Sequence, residues 1–100
     1  MTPAEPVTDA HLHLWDLAAS RYDWLAGAPE ALRRTVDIDD VREGLEELDV
    51  TRVVLVQADD TDEDTAHLQT TARDIEEHAQ RTGTGIARAD VVGWLPLTDP

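Results

Sequence analysis

Apolar and polar positions change their period along the chain, and each change marks an element. From Val7 to Trp15 the run Val-Thr-Asp-Ala-His-Leu-His-Leu-Trp ends in alternation, which predicts a short strand. Residues 1–6 carry Pro3 and Pro6 and predict an irregular lead-in. Asp16 to Pro29, with the turn residues Gly27 and Pro29, reads as a long loop after that strand. A helical period then begins at Asp37, a residue suited to the N-cap, with Asp39 and Asp40 at the positive end of the helix dipole. Val41, Leu45 and Leu48 recur at i, i+4 and i+7 as one apolar stripe, opposite Arg42, Glu43, Glu46 and Glu47. Gly44 weakens such a helix by up to about 1 kcal/mol relative to Ala, tolerable if it lets the helix approach a sheet.

The next segment, Arg52 to Ala58, holds four consecutive apolar residues and does not alternate. That is the pattern of a parallel strand covered on both faces. A long helix is predicted from Glu63 to Arg81, with Leu68, Ala72, Ile75 and Ala79 on one side, ended by Thr82-Gly83-Thr84-Gly85. Ala89 to Leu97 reads as a third buried strand, in which Pro96 stops the pairing. Strands alternating with amphipathic helices imply a parallel α/β sheet. Thr98-Asp99-Pro100 has the composition of a helix start, so the chain is expected to be a fragment of a longer domain.

Composition narrows the class. A chain of 100 residues is one domain at most, and 41% apolar content suits a globular one. The absence of cysteine removes disulfides and thiolate metal sites. No signal peptide and no run near the ~20 apolar residues of a membrane span is visible, so a cytoplasmic protein is expected, with no membrane partner. Twenty-two acids against eight bases, all Arg, give a net charge of −14. Such a surface repels phosphate backbones and argues against nucleic acid as a partner. The acids are scattered and read as a solubilising surface.

The candidate chemistry lies in Asp9-Ala10-His11-Leu12-His13-Leu14-Trp15. Residues i and i+2 of a strand share a face, so His11 and His13 are expected to point the same way. Two imidazoles so spaced can reach one divalent ion at about 2.0–2.1 Å per nitrogen. A bound ion of that kind lowers the pKa of water and polarises a carbonyl oxygen. A His-x-His pair in an arbitrary loop is usually just two solvated rings; its place at the end of the first strand is what favours a site.

Four ordered segments, Thr8 to Asp16, Arg21 to Leu25, Val54 to Ala58 and Val92 to Trp94, together resemble the N-terminal part of the amidohydrolase-related family, in its sugar-lactonase and dicarboxylate-lactonase branch. The resemblance spans residues 7–100. It implies that this stretch is the N-terminal (βα)2β portion of a (β/α)8 TIM-like barrel. It also implies a hydrolase acting on a lactone, ester or amide carbonyl of a small molecule, assisted by a divalent metal such as Zn. His11 and His13 match the family's first-strand metal ligands. The remaining ligands and the acid/base Asp belong to later strands, so the catalytic residues are not assigned and the 100-residue chain alone is expected to be inactive.

Trp15, Tyr22 and Trp24 follow the first strand, where barrel loops contact substrate, and are candidate walls of a substrate pocket; packing of the loop on the rim is the alternative. Gln57 closes the second strand at the same end, and its amide can hydrogen-bond a substrate oxygen. His67 and His78 are eleven residues apart on one helix, about 16 Å, too far to share an ion. The acids from Asp59 to Asp64 lack the glycine and terminal Glu of a calcium loop and read as a turn and helix start. Two rivals stand beside the hydrolase: a metal-dependent phosphoesterase or nuclease of related barrel type, and a non-catalytic remnant or module that pairs its sheet with another chain.

Overall fold

The computed structural model of the chain describes residues 7–93. The lead-in, the stretch Trp94 to Leu97 expected in the third strand, and the helix start at Thr98 to Pro100 lie outside the described residues. Within them the order is β1 (Val7–Leu12), 3-10 turns at Asp23–Gly27 and Glu30–Leu32, α1 (Ile38–Glu47), β2 (Val50–Val56), α2 (Asp62–Thr82) and β3 (Arg88–Val92). The three strands are parallel and lie in the order β1-β2-β3. The βαβαβ reading of the sequence therefore describes the fold, with a shorter first strand than expected. β1 stops at Leu12, and Trp15 pairs only as an isolated antiparallel bridge to Val36.

Helix limits follow local chemistry. The Asp37 side chain accepts from Asp39 N–H at 3.0 Å, and Asp40 reaches back to Asp37 N–H at 3.0 Å, a reciprocal cap at the start of α1. Thr61 caps α2 by accepting from Asp64 N–H at 3.1 Å. At the other end Gly83, at φ 72°, takes the left-handed conformation that terminates α2.

One face of the sheet carries the core. Leu14, Val53, Leu55 and Ala89 pack with Leu45 of α1 and with Leu68, Ala72 and Ile75 of α2, so both helices cover the same side. Three expectations need correction. Leu48 is 71% exposed, because α1 ends at Glu47 and the chain turns away through Asp49 at φ 58°. Gly44 makes no close approach to the sheet: a Cβ there would meet nothing within 4 Å. The second strand also differs from a strand covered on both faces, since Val54 and Val56 are only half-buried while Val53 and Leu55 are buried.

A smaller cluster, Trp15, Tyr22 and Leu25 with Ala28, Val36 and Ala58, gives the long loop its own core. The predicted long loop is thus a packed one.

Candidate functional site

Leu12 and Leu14 join the helix-covered core, so by alternation His11 and His13 occupy the opposite, uncovered face. The strand is not regular there. Between Asp9 and Leu12, β1 spends one residue more than β2 does between their partners Val53 and Leu55. Asp9 Oδ1 accepts from His11 N–H at 3.1 Å within this irregular stretch. Such bulges re-aim side chains at the ends of strands.

The two imidazoles meet edge to face, with ring centroids 4.7 Å apart. Their Nε2 atoms are 2.9 Å apart, and His13 Nδ1 is 3.1 Å from the carbonyl oxygen of Val56. A carbonyl only accepts, so His13 Nδ1 carries the proton and Nε2 of the neutral ring holds a lone pair. His11 Nε2 then donates to it. A backbone carbonyl on the far nitrogen is the arrangement that fixes the tautomer of a metal-binding histidine. Two nitrogens each about 2.0–2.1 Å from one ion lie roughly 2.9–3.4 Å apart, according to the angle between them. With the His11 proton moved to its Nδ1, both Nε2 lone pairs are free and the pair fits half of a divalent-metal donor set. Among the described residues no group of three or more His, Cys, Asp or Glu side chains is disposed around an ion, so further donors would have to come from elsewhere.

Beside His13 a cleft of about 290 Å³ opens, walled by Trp15, Trp24 and Ala58. The two indoles meet edge to face at 5.6 Å. Each is anchored by its N–H: Trp15 Nε1 donates to the carbonyl of Arg34 at 2.7 Å, and Trp24 Nε1 to that of Ala58 at 2.6 Å. Trp15 is nearly buried, whereas Trp24 remains 45% exposed. Of the three aromatics singled out in the sequence, these two stand at the histidine cleft.

Tyr22 stands elsewhere. It is 1% exposed, and its hydroxyl donates to Asp64 Oδ1 at 2.5 Å. Burial first, and then this bond, push its pKa far above the ordinary 10.0. Gln57 continues the ladder through its N–H to Val92 O at 3.0 Å. Its position is in phase with Val53 and Leu55, not with the histidine face, and its Oε1 is buried without a hydrogen-bond partner among the described residues.

Sequence reasoning missed the network behind the cleft. Asp64, completely buried, accepts from Tyr22, from Ala58 N–H at 2.8 Å and from Asp59 N–H at 3.1 Å. Asp59 accepts from Ser20 Oγ at 2.6 Å and Tyr22 N–H at 2.8 Å. Burial raises the Asp59 carboxyl, but the bonds from Ser20, Tyr22 and Asp60, with the charge of Arg21, outweigh it and leave its pKa below the ordinary value. These bonds stitch the loop after β1 to the turn after β2. The available signal was Asp64 three residues after a Thr cap, at the end of an apolar strand.

No family model matches the chain, and no curated protein and no solved structure matches it.

Proposed function

We propose that the chain supplies the first-strand part of a metal-assisted hydrolase site of the amidohydrolase-related type, acting on a lactone, ester or amide carbonyl of a small molecule. The observation that carries this reading is the convergence of His11 and His13 Nε2 at 2.9 Å on an uncovered sheet face, with the His13 tautomer set by the Val56 carbonyl. The sequential strand order, with helices on one side only, is that of a barrel wall and supports the (β/α)8 expectation. Both imidazoles also lie at the C-terminal end of β1, the end at which such barrels keep their chemistry.

In this reading His11 and His13 hold a divalent ion such as Zn, and Trp15 and Trp24 form the apolar wall that receives the substrate and excludes water from one side. A bound ion would supply a water of lowered pKa and a Lewis acid for the carbonyl oxygen. Val56, through its carbonyl, orients His13. The general acid/base and the other donors would be supplied outside the described residues.

The test is metal titration of the chain with Zn(II) and Co(II), with assays of lactones and phosphate esters run in parallel on a full-length form that also carries the later strands. One ion per chain is expected, with affinity lowered in His11→Ala and His13→Ala by more than the roughly 10- to 100-fold that losing an outer-shell partner costs. Unchanged metal content and unchanged turnover in His13→Ala would reject the role. Preference for phosphate esters would move the assignment to a phosphoesterase.

A second reading has its own observation. The uncovered face leaves Val54 and Val56 half-buried and Val92 48% exposed, a surface fit for another chain. Here the product is a non-catalytic module completed by a partner. Size-exclusion chromatography together with thermal melting tests this reading, because a cooperative monomer counts against a remnant or partner module.

A further inference from the structure

The irregular stretch of β1 does more than tilt the histidines; it decides which side of the sheet they occupy. Residues paired across neighbouring strands carry their side chains on the same face. Asp9 is opposite Val53 and Leu12 opposite Leu55, and both β2 residues belong to the helix-covered core. Asp9 and Leu12 therefore both stand over the covered side. Three residues apart, they would fall on opposite sides of a regular strand. The extra residue between them supplies the missing half-period. A strand running regularly on from Asp9 would turn His11 and His13 onto the covered face and Leu12 and Leu14 onto the open one, because a one-residue slip exchanges the faces.

A bulge leaves ladder groups unpaired, and here the side chain two residues earlier takes up the amide. His11 N–H donates to Asp9 Oδ1 at 3.1 Å, the i to i+2 bond with which Asp and Asn draw a chain out of regular pairing. The Asp9 carboxylate has no other hydrogen bond or ion pair among the described residues. It also stands on the side away from the imidazoles and joins no group of three or more possible metal donors among those residues. Its place is that of a backbone clamp, not of a ligand.

We propose that Asp9 is a positioning residue for the imidazole pair: its carboxylate oxygen holds the extra residue of β1 and so presents His11 and His13 on the uncovered face. The functional value of that placement rests on the metal-assisted reading of the pair; the placement itself does not.

The experiment compares the wild-type chain with Asp9→Asn, which keeps an accepting oxygen and loses the charge, and with Asp9→Ala, which loses both. Ring-nitrogen NMR of the ¹⁵N-histidine-labelled, metal-free chain follows the Nδ1–H form of His13, and Co(II) titration follows affinity. Wild type and Asp9→Asn are expected to share the Nδ1–H form and to bind Co(II) within about threefold of each other, whereas Asp9→Ala should lose that form and bind about fivefold or more weakly. Wild-type ring signals in Asp9→Ala would overturn the proposal. So would Asp9→Asn behaving like Asp9→Ala, because the charge and not the accepted bond would then matter. A wild-type chain without the Nδ1–H form would refute it as well, and that result depends on no variant folding. A wild-type chain that shows this form yet takes no Co(II) would defeat the metal reading alone, and the ring signals of the two variants would then decide the part played by Asp9.

Discussion

Two polar groups stand at the same end of the sheet and differ in how much of their hydrogen-bonding capacity is spent. Behind β2, Asp64 is enclosed and accepts three hydrogen bonds from Tyr22, Ala58 and Asp59. At the end of β1, His11 and His13 lie exposed, bonded to each other and, through one nitrogen, to a backbone carbonyl. A carboxylate so fully engaged is a component of the fold, since a ligand could reach it only by breaking buried bonds. An exposed imidazole pair costs the fold little, and moving one ring proton from His11 Nε2 to Nδ1 frees both facing lone pairs. Titratable residues at strand ends are thus sorted by what their neighbours already use, more than by position.

The largest break in this contrast should come from Asp64→Ala. It strands a tyrosine hydroxyl and two backbone N–H groups and should cost about 3–5 kcal/mol in urea unfolding. A cost below about 1 kcal/mol would mean that the carboxylate is not the hub of the loop. Tyr22→Phe removes one of its partners and should cost about 1–2 kcal/mol. It should also change the alkaline limb. The folded-state pKa of Tyr22 lies above the ordinary 10.0, so its contribution is complete below that value and is lost as pH climbs beyond it. Tyr22→Phe should flatten that decline, measured by unfolding at a series of alkaline pH values.

Asp59 sharpens the comparison from the acid side. Its folded-state pKa lies below the ordinary 3.8, so its contribution is present above 3.8 and is lost as pH falls through the lower folded value. Asp59→Asn should reduce the acid-side loss, with a smaller effect than the two preceding variants. The smallest change belongs to the histidines. His11→Ala should alter unfolding free energy by less than about 0.5 kcal/mol while it lowers the proposed metal affinity. A large loss of stability would place the imidazole pair among the structural residues and erase the distinction.

Much of the architecture was legible because it rests on local signals. Asp37 and Gly83 mark helix ends by chemistry confined to a single turn, and the Val-Val-Leu-Val run marks β2 without reference to its partners. The common face of His11 and His13 follows from strand periodicity, though the bulge beside them was not visible in the sequence. Leu48 fits the apolar stripe by spacing alone, yet the helix ends before it. Tyr22 and Trp24 look alike in sequence, two residues apart in one loop. Only the pairing of that loop with the β2–α2 turn decides that the first is enclosed and the second faces a cleft. Asp64 was hidden for the same reason: a carboxylate in a helix's first turn has a sufficient local explanation, and its partners at Tyr22 and Ala58 are distant or unremarkable in sequence.

Ala58 is gripped from both sides, its N–H by Asp64 and its carbonyl by the Trp24 indole. A methyl side chain thus becomes the joint through which a sealed interior carboxylate dictates where an outer indole stands. Shape at the cleft is consequently inherited from residues no ligand touches, and altering Asp64 would reshape that opening without removing any atom from its walls.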